Sequence, residues 1–106
     1  MVSRFGLYLV SIDSATSKDA KNTRPCVIVS PDEMNRNVAH VLIAPISSAT
    51  YGYPTRIPID LLNSKREIVL DQLRTVDKER LVKKIGDLSS AEQKAVIERL
   101  QEFFAP

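Results

Sequence analysis

The chain has 106 residues, of which 43% are apolar and 26% charged, values typical of one ordinary globular domain that we expect to span residues 1–106. A formal net charge of +2 does not by itself indicate a nucleic-acid-binding protein. The only cysteine, Cys26, excludes an internal disulfide and a thiolate zinc cluster, and the only histidine, His40, excludes catalysis by a histidine pair.

The distribution of charged residues along the chain is more informative than the net charge. Residues 1–88 carry 13 Lys and Arg against 10 Asp and Glu, so any basic surface lies in the body of the chain and not in its tail. On charge alone, a normally solvated surface is the simpler interpretation. No signal peptide or transmembrane run is present, so we expect a cytosolic protein that acts away from the membrane and needs neither metal nor cofactor.

The first third of the chain is predicted to form strands separated by polar segments. Gly6–Ile12 is rich in strand formers, whereas Asp13–Thr23 is a polar loop, long enough to suggest a functional role. The apolar run Pro25–Ser30, which includes Cys26, predicts a strand buried on both faces. Pro31–Asn37 predicts a turn or a single helical turn.

The middle of the chain continues with short strands. Val38–Ile46, which includes His40, is the longest apolar run. Because proline cannot donate to a β-ladder, this strand should end, bulge or lie at an edge at Pro45. Further strands are predicted at Thr55–Ile59, Ile68–Leu70 and Leu73–Val76, with a loop over Ser47–Pro54 and a polar connection over Asn63–Arg66.

The last third is predicted to be helical. Asp77 can cap a short helix over Lys78–Lys84. Ser89–Glu92 matches a capping box. The helix that follows places four apolar residues on one face: Val96, Ile97, Leu100 and Phe104. Short strands followed by a terminal helix favour a mainly β fold, a small curled antiparallel sheet or open barrel.

Three segments carry residues that the fold alone does not require. Arg24 precedes a buried strand, where its guanidinium could clamp a phosphate, or could instead reach water or pair with a carboxylate. Ser47 follows an apolar strand, and its hydroxyl could bond a phosphate oxygen or the turn backbone. Asp71 could accept a proton or form a structural ion pair with Arg74, and Gln72 could hydrogen-bond a base or a phosphate.

Five short motifs, taken in order, resemble the MazF/PemK/Kid toxins from Gly6 to the terminal helix. They are Arg24-Pro25, Ser30-Pro31 with Asn35-Arg36, Ala44-Pro45-Ile46-Ser47, Gly52-Tyr53-Pro54 and Asp71 to Asp77. The resemblance implies an SH3-like barrel with appended helices, shared with the CcdB toxins. It also implies a homodimer that cleaves single-stranded RNA at short sequences without a cofactor. By the same resemblance, we expect the 2′-hydroxyl to attack the neighbouring phosphate and a cognate antitoxin to block the site.

The resemblance also suggests roles for individual residues. Arg24 matches the catalytic arginine, whose charge would stabilise the phosphorane. Ser47 matches a catalytic threonine or serine, Asp71 the acid proposed as base in the Kid branch, and Gln72 a glutamine of the site. The RNA contacts would come from the loops that hold Lys18, Asp19, Thr23 and Tyr53.

Two departures from the family pattern affect these roles. Many members have Gly-x-Glu-Gln-x-Gly where this chain has residues 17–22, so both glycines and the Glu-Gln pair are replaced. Val69 stands where the Kid branch has an arginine that acts as general acid, which would leave Arg24 to serve both functions.

Two other functions are compatible with the same scaffold. A non-enzymatic gyrase inhibitor of the CcdB type would use the apolar tail at Phe103-Phe104, with Arg24, Ser47 and Asp71 idle. A degenerate member would bind RNA or antitoxin without turnover, as the altered loop over residues 17–22 would allow.

Overall fold

The computed structural model describes residues 2–11 and 23–106, and the described part folds as a mainly β structure with a long C-terminal helix. In chain order the elements are β1 (Gly6–Ser11), β2 (Thr23–Ile28), α1 (Asp32–Asn37), β3 (His40–Ser47), β4 (Arg56–Leu61), β5 (Ser64–Val69), β6 (Arg74–Asp77), β7 (Leu81–Asp87) and α2 (Ser90–Phe104), with 3₁₀ turns at Leu70–Gln72 and Lys78–Arg80.

All described strand pairs are antiparallel, and they follow the order β4-β5-β3-β2-β1-β7. β6 lies off this path and pairs with the first half of β3, from His40 to Ile43. The curled antiparallel sheet and the C-terminal helix confirm the predicted fold class.

The prediction that β2 is buried on both faces is confirmed. Val27 and Val29 face an apolar cluster that also contains Val96 of α2. Cys26 and Ile28 face a second cluster on the opposite side, because successive side chains of a strand alternate between its faces. The strand therefore separates the main core under α2 from a smaller apolar surface, and the candidate site lies on that smaller surface.

Pro45 lies inside β3 and does not end it, because the edge it faces is locally unpaired. Leu42 directs its carbonyl and its N–H towards the β2 side of β3. By alternation, the nitrogen of Pro45 faces the opposite edge. On that edge β6 pairs only up to Ile43 and β5 begins pairing at Ile46. The 3₁₀ turn that separates β5 from β6 thus leaves a gap in which no N–H is needed.

The predicted helical turn after β2 is present as α1, and a buried polar pair fixes it. Asn35 is 1% exposed and donates through Nδ2 to the Ser30 carbonyl at 2.9 Å. Ser30 Oγ donates to Asn35 Oδ1 and accepts the N–H of Leu42. These two residues of the Ser-Pro and Asn-Arg motif are therefore explained by the fold.

The predicted helix over Lys78–Lys84 is wrong. Only a 3₁₀ turn forms at Lys78–Arg80, without a side-chain capping bond from Asp77, and the chain then becomes β7. β7 pairs with the edge of β1, whose backbone groups would otherwise lack partners. The polar connection also proved shorter than expected, because a two-residue turn at Leu62 and Asn63 lets β5 begin at Ser64.

The predicted capping box of α2 is confirmed. Ser89 Oγ accepts the N–H of Glu92 at 3.2 Å, and the Glu92 carboxylate accepts the N–H of Ser89 at 2.8 Å. The apolar face buries Val96 completely but leaves Phe104 68% exposed. Across residues 2–11 and 23–106, no helix is both long and apolar enough to cross a membrane.

Candidate active site

An open cavity of about 690 Å³ lies on the face of the sheet that carries the second apolar cluster. Its volume falls within the range of small-molecule sites. Val10, Cys26, Ile43 and Val76 contribute apolar lining, and the polar lining includes Ser47 and Gln72 among other residues. Among the described residues, the charged groups that line the cavity are all arginines: Arg24, Arg66, Arg74 and Arg80.

Arg24 is held near the start of β2, where its backbone pairs with Val10 and the next residue is Pro25. Its side chain is exposed, and within the described part of the chain it makes no hydrogen bond or ion pair. The carbonyl of Arg24 accepts a bond from Cys26 Sγ at 3.7 Å. The arginine therefore has a fixed backbone and a guanidinium available to an anion.

The other arginines reach the cavity from distant parts of the sequence. Arg80 donates through Nε and Nη2 to the Ser11 carbonyl, at 3.0 and 2.6 Å, and Arg66 Nε donates to the Leu61 carbonyl at 3.3 Å. Sequence reasoning missed both, because one fell in the predicted polar connection and the other in the predicted helix. Four cations around one cavity give it a positive potential, which favours a polyanion.

Cys26 contributes a neutral wall to the cavity. Burial raises the pKa of its thiol to about 12, and the nearby charge of Arg74 lowers it only in part. The thiol therefore stays protonated at neutral pH and behaves as a small buried residue of the predicted two-sided strand, not as a nucleophile.

Ser47 ends β3 and lines the cavity together with Ser48. Its Oγ accepts the backbone N–H of Ala49 at 3.1 Å. Because that contact uses a lone pair of the oxygen, the hydroxyl hydrogen remains available for donation. The sequence left two alternatives for this hydroxyl, and the arrangement allows both at once.

Gln72 and Asp71 are neighbours in the chain, but only Gln72 lines the cavity. Asp71 Oδ1 instead accepts bonds from Thr55 Oγ1 at 2.9 Å and from Arg56 Nε at 3.4 Å. Of the two alternatives for Asp71, a structural ion pair is formed, but its partner is Arg56 and not Arg74. Partial burial acts to raise the pKa of Asp71, but the bonds from Thr55 and Arg56 outweigh it and the net pKa is lowered.

The predicted RNA-contact residues lie in different places. Thr23 is buried and lines the cavity. Tyr53 is 53% exposed, in the loop that leaves the cavity wall at Ser48. Lys18 and Asp19 lie outside the described residues. In residues 2–11 and 23–106, no group of three His, Cys, Asp or Glu side chains is arranged to hold a metal ion.

The geometry is suited to binding a phosphodiester and stabilising added negative charge on it. A guanidinium without an internal partner, a hydroxyl hydrogen and a side-chain amide border one cavity, and no carboxylate of the described residues lines it. Donors positioned in advance around developing charge need little reorganisation during a reaction.

Comparison with known proteins relates the chain to one family. A family model of PemK-like, MazF-like toxins of type II toxin–antitoxin systems matches residues 3–104. Endoribonuclease MazF9 of Mycobacterium tuberculosis is 27% identical over 111 residues, covering 95% of this chain and 94% of that protein.

Two solved structures share the fold. Mycobacterium tuberculosis toxin MazF-mt6 has a TM-score of 0.78 and 22% identity, covering 93% of this chain and 95% of that one. An endoribonuclease from a mycobacterial species, solved in complex with its cognate antitoxin, has a TM-score of 0.80 and 20% identity, covering 96% of this chain and 93% of that one.

Proposed function

The chain belongs to the PemK-like, MazF-like toxin family of type II toxin–antitoxin systems, and we propose that it is a metal-independent endoribonuclease that cuts single-stranded RNA at short sequences. The observation that supports this most directly is the exposed Arg24 guanidinium, which lines the cavity without an internal partner among the described residues. The relative named MazF9 is an endoribonuclease, which supports the same activity.

In the proposed reaction, the 2′-hydroxyl of one nucleotide attacks its own 3′-phosphate. A P–O2′ bond forms and the P–O5′ bond breaks, leaving a 2′,3′-cyclic phosphate and a 5′-hydroxyl. The proton of the 2′-hydroxyl must leave, and the departing 5′-oxygen must gain one. Since the nucleophile belongs to the RNA, the protein has to supply alignment and charge stabilisation.

Arg24 is the residue we propose for stabilising the crowded, doubly negative phosphorane. Its charge is permanent, and its fork of N–H donors can bond two phosphate oxygens at once. Ser47 would donate its free hydroxyl hydrogen to the same phosphate, and Gln72 would hydrogen-bond a base or a phosphate oxygen. Because Val69 is buried and carries no acidic group, the departing 5′-oxygen would take its proton from water while the charge of Arg24 stabilises it.

Asp71 remains a candidate for the base that takes the 2′-hydroxyl proton. To act in that way its carboxylate would have to leave Thr55 and Arg56, which now hold it. Its lowered pKa keeps it ionised at neutral pH but also makes it a weak proton acceptor. Of the roles proposed for Arg24, Ser47, Gln72 and Asp71, that of Asp71 is the one that requires existing bonds of the side chain to break.

We further propose that the protein acts in the cytoplasm as a homodimer and is inhibited by a cognate antitoxin. A related structure was solved with its antitoxin bound, which supports such a partner. The exposed apolar residues of α2, which are Ile97, Phe103 and Phe104, offer a surface that a second copy could cover. Light scattering of the purified chain, alone and with the antitoxin, tests both assemblies.

The activity is tested by incubating the purified protein with a long single-stranded RNA in EDTA and sequencing the new ends. We expect cuts at a short recurring sequence, with cyclic phosphate and 5′-hydroxyl termini, and loss of these cuts in Arg24→Ala. Intact RNA with the wild-type protein, or equal cleavage by Arg24→Ala, would refute the proposal.

A gyrase supercoiling assay provides the matched control for the rival function. The apolar tail is exposed, with Phe103 at 42% and Phe104 at 68%, as a tail-dependent gyrase inhibitor would need. If supercoiling were inhibited equally by wild type and Arg24→Ala, while RNA stayed intact, the gyrase alternative would replace the nuclease. Tight RNA binding without cuts would instead indicate a degenerate member.

A further inference from the structure

Two exposed tyrosines stack on each other in the loop that follows Ser48, and neither belongs to the hydrophobic core. The rings of Tyr51 and Tyr53 have centroids 5.5 Å apart and planes inclined by only 12°. The two residues are 62% and 53% exposed, although aromatic side chains are usually buried. We refer to these two rings as the tyrosine platform.

A largely buried arginine supports the platform. The guanidinium carbon of Arg56 lies 5.5 Å from the centroid of Tyr51 and 4.9 Å from that of Tyr53. Only 11% of the Arg56 side chain is exposed, and it pairs with Glu67 at 3.8 Å and with Asp71 at 3.4 Å. The two carboxylates more than balance its single charge, so the platform presents aromatic faces to the solvent and not a cation.

Glu67 fixes the backbone that carries the platform. Its side chain is 4% exposed, and its two oxygens accept the N–H groups of Tyr51 and Gly52 at 3.0 and 2.8 Å. The carbonyl of Pro54 accepts a bond from Arg99 of α2. The loop is thus held in its middle and near its C-terminal end, so the rings are exposed while their backbone is fixed.

The platform is connected to the cavity wall through its loop. Its loop begins at Ser47 and Ser48, which line the cavity, and Ser47 pairs with Glu67 across β3 and β5. Arg66, the neighbour of Glu67, also lines the cavity. A chain whose phosphates contact the arginines of the cavity could follow this loop and bring its flanking groups towards the tyrosine rings.

We propose that the tyrosine platform stacks nucleobases of single-stranded RNA that flank the cleaved phosphate, with Arg56 and Glu67 as positioning residues. This inference rests on the proposed nuclease function. Successive unpaired bases stack readily on exposed aromatic rings, and such stacking tolerates many sequences because every base has a π-face. The positive potential of the cavity favours a polyanion such as RNA over an uncharged peptide as the occupant.

The test compares two oligonucleotides that carry equal numbers of phosphates. One is a short, mixed-sequence RNA with 2′-O-methyl sugars, which cannot undergo the attack, and the other is an abasic oligonucleotide of the same length. We expect Tyr51→Ala/Tyr53→Ala to bind the first about tenfold or more weakly than wild type. The same variant should bind the abasic oligonucleotide as wild type does, whereas Tyr51→Phe/Tyr53→Phe should keep most of the affinity for both.

Three results would overturn the platform. They are an unchanged affinity of Tyr51→Ala/Tyr53→Ala for the mixed-sequence RNA, an equal loss for both oligonucleotides, and a loss of self-association or antitoxin binding in place of RNA affinity. Arg24→Ala separates this inference from the nuclease function, because it should weaken binding of both oligonucleotides. If the wild-type protein cuts RNA but the tyrosine variants bind RNA as tightly as wild type, the platform proposal fails and the nuclease proposal stands.

Discussion

Arg24 and Arg56 are two arginines of the same sheet with opposite environments. Arg56 is 11% exposed and lies between the carboxylates of Glu67 and Asp71. Arg24 is exposed at the cavity, and inside the described part of the chain no carboxylate pairs with it. A guanidinium whose charge is already balanced supports structure, whereas one without a partner keeps its charge for a ligand.

The largest effect should follow from Arg24. Arg24→Ala should lower kcat/KM for RNA cleavage on the order of a hundredfold to a thousandfold, because it removes the charge that stabilises the phosphorane. Arg24→Lys should recover only part of this loss, since lysine keeps the charge but not the forked donors. Initial cleavage rates on one labelled RNA measure both variants.

The corresponding control is the unfolding free energy of Arg24→Ala. An exposed side chain without an internal partner should change it by less than about 0.5 kcal/mol. A loss of about 3 kcal/mol, the size expected when a buried ion pair is broken, would show that Arg24 has a structural role. The contrast between the two arginines would then fail.

The second effect concerns Arg56 and stability. Arg56→Met keeps the length of the side chain but leaves Glu67 buried without its cation, so the free energy of unfolding should fall by about 3 kcal/mol. Urea unfolding followed by circular dichroism measures the change. Equal stability of Arg56→Met and wild type would mean that the backbone bonds to Glu67 suffice without the ion pair.

The two arginines also show which parts of the site the sequence can predict. Arg24 was found because a charge next to the apolar residues of β2 is a local signal, and the ordered motifs gave it a role. Arg80 was missed because the sequence predicts a helix over Lys78–Lys84. β7 forms because the edge of β1 needs a partner, and that requirement comes from a segment far away in the sequence.

Asp71 shows that ion pairs, too, are difficult to predict from the sequence when the partner is far away along the chain. The sequence suggested Arg74, three residues away, as its partner. The actual partner, Arg56, is brought close by the pairing of β4 with β5, in which Arg56 lies opposite Val69. Pairing across strands determined the contact, and no local pattern in the sequence reports it. The fold class was easier to predict, since alternation and capping patterns are local.

A third, smaller effect should follow from Ser47. Ser47→Ala removes a hydroxyl donor from the phosphate, and we expect kcat to fall about tenfold, as the loss of one hydrogen bond to a charged group implies. Ser47→Thr keeps the hydroxyl and should retain most of the rate. Single-turnover cleavage measures the step directly. If Ser47→Ala and Ser47→Thr lost the rate equally, the shape of the strand end and not the hydroxyl would matter.

The smallest effect on the rate is expected for Asp71. Because Thr55 and Arg56 hold its carboxylate, Asp71→Asn should slow cleavage by less than about tenfold, whereas loss of a true general base costs about a hundredfold or more. The rates of wild type and variant, compared from mildly acid to mildly alkaline pH, decide between these outcomes. A loss of a hundredfold in a folded Asp71→Asn would establish the carboxylate as the base.

The pH dependence of the free energy of unfolding tests independently whether Thr55 and Arg56 hold the Asp71 carboxylate. The folded protein holds the pKa of Asp71 below its ordinary value of 3.8, so the unfolded chain binds this proton more readily. The stabilisation is therefore complete above the ordinary pKa and is lost as the pH falls through the lowered one. Asp71→Asn should show a weaker loss of stability in acid than wild type. An identical acid dependence would mean that Thr55 and Arg56 do not hold the carboxylate in solution, which would leave it free to act at the cavity.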